Sequence, residues 1–199
     1  TCEYDYSQLN PHMVYFLRGA KMGEEDAYDR VFDGEHRGIV KEAFNAMIQA
    51  SANLTHKPKK LDLNEVDLDW PTLKQAILDA HKPIADVFFQ GHGNHLQYID
   101  SCIAENVMLN FIRVDDAPVL PVHDSFIMHY AYGELGELEE EMRRSFHGHF
   151  KKDINVKSEI GVMLPSSFDG KEWNDLTFGE QIHGPPEYSQ WEDRNNLND

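Results

Sequence analysis

Two cysteines, Cys2 and Cys102, are all that the 199 residues hold, and neither belongs to a Cys-x-x-Cys pair. That excludes a disulfide framework and a cysteine zinc cluster, and makes a reducing interior the default setting. Cys102 falls in an apolar helical pattern and reads as a small buried hydrophobe. Apolar runs are short, and none approaches the roughly 18 residues that a membrane-spanning helix needs. There is no internal repeat, and the histidines of GHGNH (91–95) lack the His-Glu-x-x-His spacing of a zinc protease. Basic residues are also scarce, with 18 Lys and Arg against 35 Asp and Glu and a net charge of −17. A protein that grips a nucleic-acid duplex along its whole surface needs the opposite balance. Any polyanion must therefore be held at a local basic groove or through a bound metal.

What is present is globular in character: 41% of the residues are apolar and 11% aromatic. Residues 1–5 read as the end of a strand. PHMVYFLRG (11–19) reads as a short helix, with Pro11 at its start and Gly19 at its stop. In HRGIVKEAFNAMIQA (36–50), Val40, Phe44 and Met47 form an apolar stripe of helical period, while Arg37 and Lys41, four apart, share another face. A helix opens at Asp69-Trp70-Pro71 and runs to about Phe89, with a break at Pro83. From Leu96 to Phe111, Leu96, Ile99, Ile103, Val107 and Met108 recur at helical spacing, with Asp100, Glu105 and Asn106 opposite. APVLPV (117–122) and SFIMHY (125–130), separated by His123 and Asp124, make a hairpin-like pattern with an acid at its tip. ELGELEEEMRRSF (134–146) reads as a surface helix and SEIGVML (158–164) as a last strand. The order is that of an α+β fold.

Asp5 and Asp124 both stand at expected strand ends. Among 35 acids, a single Asp is most often solvated surface. Asp124 differs in interrupting an apolar run, between Val122 and Phe126-Ile127, where a lone acid is either a turn residue or a site. Phosphoryl transfer to a hydroxyl uses two divalent ions about 3.5–4 Å apart, which two carboxylates on neighbouring strands can bridge. Two cations on one helix face, as at Arg37 and Lys41, can stabilise triphosphate charge, and a lysine can give a leaving pyrophosphate its proton. The same pair also fits an ordinary solvated basic edge, as does the loop THKPKK (55–60).

Three segments resemble motifs of one family, in the family's order. DYSQLNPHMVYFL (5–17) resembles motif A of family A DNA polymerases. HRGIVKEAFNAMIQA resembles motif B, with its Arg-x3-Lys, and VHDSFI (122–127) resembles motif C, in a form also similar to that of phage-type single-subunit RNA polymerases. LQYIDSCIAENVML (96–109) resembles the helix that precedes motif C, so the likeness spans roughly residues 3–130. It implies a polymerase-like palm over residues 1–164, with a short fingers insertion at about 20–90 and an acidic, Gly- and Pro-containing extension over 165–199. The palm would carry Asp5 and Asp124 on adjacent strands of a small antiparallel sheet, with the 96–111 helix on its back. The 36–50 helix would stand off as fingers, its basic face toward the acids.

The activity implied is a DNA-directed DNA polymerase, a DNA-binding nucleotidyltransferase of DNA replication that adds nucleoside triphosphates to a 3′-hydroxyl by two-metal-ion catalysis. A primase or RNA polymerase, and a degenerate palm kept as a replication scaffold, are the alternatives. The resemblance makes Asp5, Asp124 and Lys41 catalytic. Two Mg2+ ions, with Mn2+ as a substitute, would rest on Asp5, Asp124 and the Tyr6 carbonyl. Arg37 and Lys41 would meet the triphosphate, and Gln97 and His123 the growing end, with Ser125 as a small neighbour. Departures from the family pattern concern the nucleotide pocket. Asn10 replaces a Glu that excludes ribose, and His12 an Arg. Asn45 and Gln49 replace aromatics, so the stacking platform for the base is either missing or supplied by Phe44. Primer–template and nucleoside triphosphates are the implied partners, with no membrane and a cytoplasmic setting in a bacterial or phage-infected cell. The chain opens without Met and shows no thumb, so an upstream domain or a replication partner is expected to grip the duplex. A separate reading, a metal-dependent phosphohydrolase, requires Asp124 to converge with His92, His95 and His123.

Overall fold

Alternation along β1 (Cys2–Tyr6) turns Cys2, Tyr4 and Tyr6 inward and leaves Glu3 and Asp5 half-buried on the other face. The computed structural model describes residues 2–64, 66–114, 117–129 and 136–159. Within these, β1, β2 (Val119–Val122), β3 (Ser125–Met128) and β4 (Val156–Glu159) form an antiparallel sheet in the order β2-β3-β1-β4. Tyr4 lies opposite Phe126 and Asp5 opposite Ser125 across β1 and β3. The inward row, Cys2, Tyr4, Tyr6, Phe126 and Met128, is buried against helices. Tyr6 fastens that face, since its hydroxyl donates to the Met142 carbonyl at 2.6 Å and its ring meets Phe126 and Phe146.

Five α-helices complete the described part: α1 (Leu9–Leu17), α2 (Arg37–Gln49), α3 (Trp70–Ala80), α4 (Gly93–Val114) and α5 (Glu137–Phe150). The α+β architecture expected from the sequence is present. Helix α3 starts where its cap dictates: the Asp69 carboxylate accepts from the Thr72 amide at 2.8 Å and Pro71 follows in the first turn. It ends at Ala80, and Pro83 lies in a separate 3-10 turn, Lys82–Ile84, so the helix expected through Phe89 is shorter. Helix α4 is longer than expected at both ends and buries Leu96, Ile99, Ile103, Val107 and Phe111. It lies against β2 and α5, while α5 lies against β1 and β4, so two helices rather than one back the sheet. Cys102 is half-buried rather than enclosed.

Helix α2 does not stand free as a separate element but packs on α3 and α4. Its stripe of Val40, Ala43, Phe44, Met47 and Ile48 joins the same continuous core as β1 and α4, and residues Cys2–Glu159 form one compact unit. Hydrophobic burial explains the departure: a stripe this apolar is stable only when covered, and α3 and α4 cover it. The expected last strand begins two residues early, at Val156. Residues 160–164 and the 165–199 extension lie outside the described residues. Among the described residues no helix is long and apolar enough to cross a membrane.

Candidate active site

The hairpin of β2 and β3 closes through only two residues, His123 and Asp124, because Val122 pairs with Ser125. So tight a turn forces a left-handed backbone somewhere, and His123 takes it, at φ 55°. For a residue with a Cβ this costs about 1–2 kcal/mol, a strain of the kind held at functional sites. Asp124 is carried directly over the end of β1, where its main-chain carbonyl accepts from the Tyr6 amide at 3.1 Å. The segments that hold Asp5 and Asp124 thus meet by sheet register. Asp5 and Asp124 line one cavity of about 140 Å³, shared with Tyr6, Asn10, Arg37, Lys41 and Lys157.

The two carboxylates act on each other. Burial first, and then the Asp124 charge, raise the Asp5 carboxyl to about 6 against the pull of Lys41 and Lys157. Asp5 and Asp124 also border an open cleft with Glu3, whose carboxylate accepts from the Ser125 hydroxyl at 2.7 Å. A second cavity, of about 310 Å³, shares Leu9, Asn10, Lys41 and Asp124 with the first and continues along Asn45, Gln49, Gln97, Asp100 and His123. The cleft therefore has a charged end and an end lined by side-chain amides. Asn10 and Asn45 tie α1 to α2 between them, the Asn10 amide donating to the Asn45 carbonyl oxygen at 3.1 Å.

The residues singled out in the sequence meet different fates. Asp5, Tyr6, Asn10, Arg37, Lys41 and Asp124 come together in one cavity, and Asn45, Gln97 and His123 adjoin it. Arg37 is already committed, at 2.7 Å to Asp26 and 3.3 Å to Asp29, with its guanidinium over the Tyr28 ring. Phe44 is fully buried among Tyr28, His81 and Phe88, so it presents no face to a base, and the stacking role is withdrawn. His12 is half-buried against Phe16 and Phe146. His92 and His95 line another cavity, with Arg18 and Asp86, apart from the one that His123 borders, which removes the convergence that the phosphohydrolase reading requires.

Two residues of the site went unnoticed in the sequence. Asp100, placed on the polar face of its helix, lines the larger cavity, and burial followed by the Asp124 charge raises its carboxyl to about 6 while His123 opposes. Its spacing of four from Leu96 and three from Ile103 put it at the edge of the apolar stripe, which was the available signal. Lys157 reaches the smaller cavity from β4, by a pairing that no local pattern announces.

An oxygen-only donor set of two carboxylates fits a hard divalent ion, which takes one or two carboxylates and fills its other positions with water or phosphate. The mutual repulsion recorded at Asp5 is what such an ion relieves. Among the described residues, no three His, Cys, Asp or Glu side chains gather as a metal cage. No family model, curated protein or solved structure matches the chain.

Proposed function

We propose that the chain is a polymerase palm of the family A type that carries out template-directed nucleotidyl transfer, as a DNA-directed DNA polymerase. The observation that carries this reading is the meeting of Asp5, on β1, with Asp124, in the turn between β2 and β3, in a cavity that Lys41 also lines. Asp5, Asp124 and the main-chain oxygen of Tyr6 would hold Mg2+, with Mn2+ able to replace it. Bound there, the metal supplies Lewis-acid activation of the 3′-hydroxyl and charge neutralisation at the triphosphate. The chain's own residues do the rest. Strand β1 fixes Asp5 and the tight β2–β3 turn fixes Asp124, which positions the primer end. Lys41, without a carboxylate partner among the described residues, meets the triphosphate and protonates the leaving pyrophosphate. The amide-lined end of the cleft receives the nucleoside, with Gln97 and His123 toward the growing strand.

A second reading, the replication scaffold, draws on two observations: Arg37 is held by Asp26 and Asp29, and Phe44 is buried. Extension of a labelled primer on a template, in Mg2+, with dNTPs and NTPs in parallel, separates the two. Wild-type extension that is abolished in a folded Asp124→Asn protein supports the polymerase. A folded wild type that extends nothing supports the scaffold, and extension with NTPs alone supports the primase or RNA polymerase alternative.

A further inference from the structure

Lys157 stands directly opposite Asp5 in the register of β1 and β4. Directly opposed residues leave an antiparallel pair on the same face, with their Cβ atoms roughly 4.5–5.5 Å apart. Lys157 lines the charged cavity together with Asp5, Asp124, Arg37 and Lys41. The three cations there are not equivalent. Arg37 is spent on Asp26 and Asp29, whereas neither Lys41 nor Lys157 forms an ion pair among the described residues. Both lysines act electrostatically on Asp5 without contacting it as a salt bridge. Lys157 is exposed, on a stem long enough to swing toward a ligand. Two uncommitted ammonium groups, one from α2 and one from β4, thus border the carboxylate pair.

We propose that Lys157 binds the triphosphate of the incoming nucleotide, so that the anion is held between α2 and β4 rather than by α2 alone. This rests on the polymerase reading above. An ammonium on a flexible stem suits phosphate as a movable point charge, needing no fixed planar geometry. With Arg37 committed, Lys157 supplies the second cation that the basic face of α2 fails to provide. The anchor comes from the opposite end of the described chain, so closing β4 onto β1 completes the nucleotide site.

The test is steady-state primer extension by the full chain with Lys157→Ala, Lys157→Arg and, as a surface control outside the cavity, Lys152→Ala. Losing a hydrogen bond to a charged group predicts a KM for the nucleoside triphosphate raised about tenfold or more in Lys157→Ala, with kcat little changed. Lys157→Arg should restore most of the affinity, and Lys152→Ala should match wild type. An unchanged KM overturns the proposal. So does a fall in kcat at constant KM, which would mean that Lys157 serves Asp5 instead of phosphate. If the wild type extends no primer, the polymerase reading fails by itself. Calorimetric binding of inorganic tripolyphosphate then decides the role of Lys157: weaker binding by Lys157→Ala upholds it and equal binding overturns it.

Discussion

Asp5 and Asp100, which line the cleft, and His12 and His81, which do not, are all displaced from their ordinary protonation ranges by burial, yet in ways that oppose each other. Burial lowers both imidazoles to about 4, so they stay neutral near pH 7. His81 is fully enclosed, with its Nδ1 3.0 Å from the Tyr15 hydroxyl. The two carboxyls rise to about 6 and remain largely charged at neutral pH, beside a third carboxylate at Asp124. Burial keeps these two imidazoles uncharged, while the cleft keeps like charges close to one another. Sheet register, a two-residue turn and a fastened Tyr6 hold this arrangement although it works against stability, as the proposed divalent-ion site would require.

The largest effect separating the two regions belongs to the core. Phe44→Ala should cost about 3–5 kcal/mol in urea denaturation, because the ring is enclosed by Tyr28, His81 and Phe88. A loss below about 1 kcal/mol would place Phe44 at the surface after all.

Acid titration separates the regions by sign. In the unfolded chain His titrates near 6.5 and Asp near 3.9. As pH falls from about 6.5 to 4, the unfolded chain takes up protons that His12 and His81 refuse, and stability is lost. Over about pH 6 to 4 the folded chain takes protons at Asp5 and Asp100 that the unfolded chain refuses, and stability is gained. In metal-free buffer the two trends offset each other in the wild type. The double variant Asp5→Asn, Asp100→Asn should be more stable than wild type at pH 7 and should lose stability on acidification to pH 4. A double variant that tracks the wild type across that window would refute the contrast.

The smallest effect tests the turn. His123→Gly should raise stability by about 1 kcal/mol by relieving the left-handed backbone, while removing a side chain from the cleft and lowering extension. Equal stability would show that the turn stores no strain.

Local patterns carried much of this arrangement. The alternation of β1, the stripe of α2 and the acid at the tip of a hairpin could all be read from neighbouring residues. The stripe even contradicted the base-stacking role given to Phe44, since Val40, Phe44 and Met47 at helical spacing describe a core, and the fold agrees with the stripe. What sequence could not supply is long-range register. Lys157 meets Asp5 across more than 150 positions by strand pairing alone, and Asp100 turns toward Asp124 only once α4 packs beside β2. The pairing of Arg37 with Asp26 and Asp29 depends on a connector whose acids read simply as polar loop.

In the proposed mechanism Asp5 and Asp124 act together as one divalent-cation site. Thermal unfolding of wild type, Asp5→Asn and Asp124→Asn, each with and without millimolar Mg2+, tests it most directly. A ligand that binds only the folded state raises Tm. A Mg2+-dependent rise is expected in the wild type and should disappear in both variants. A rise of the same size in all three proteins would place the bound ion elsewhere and contradict the proposed mechanism.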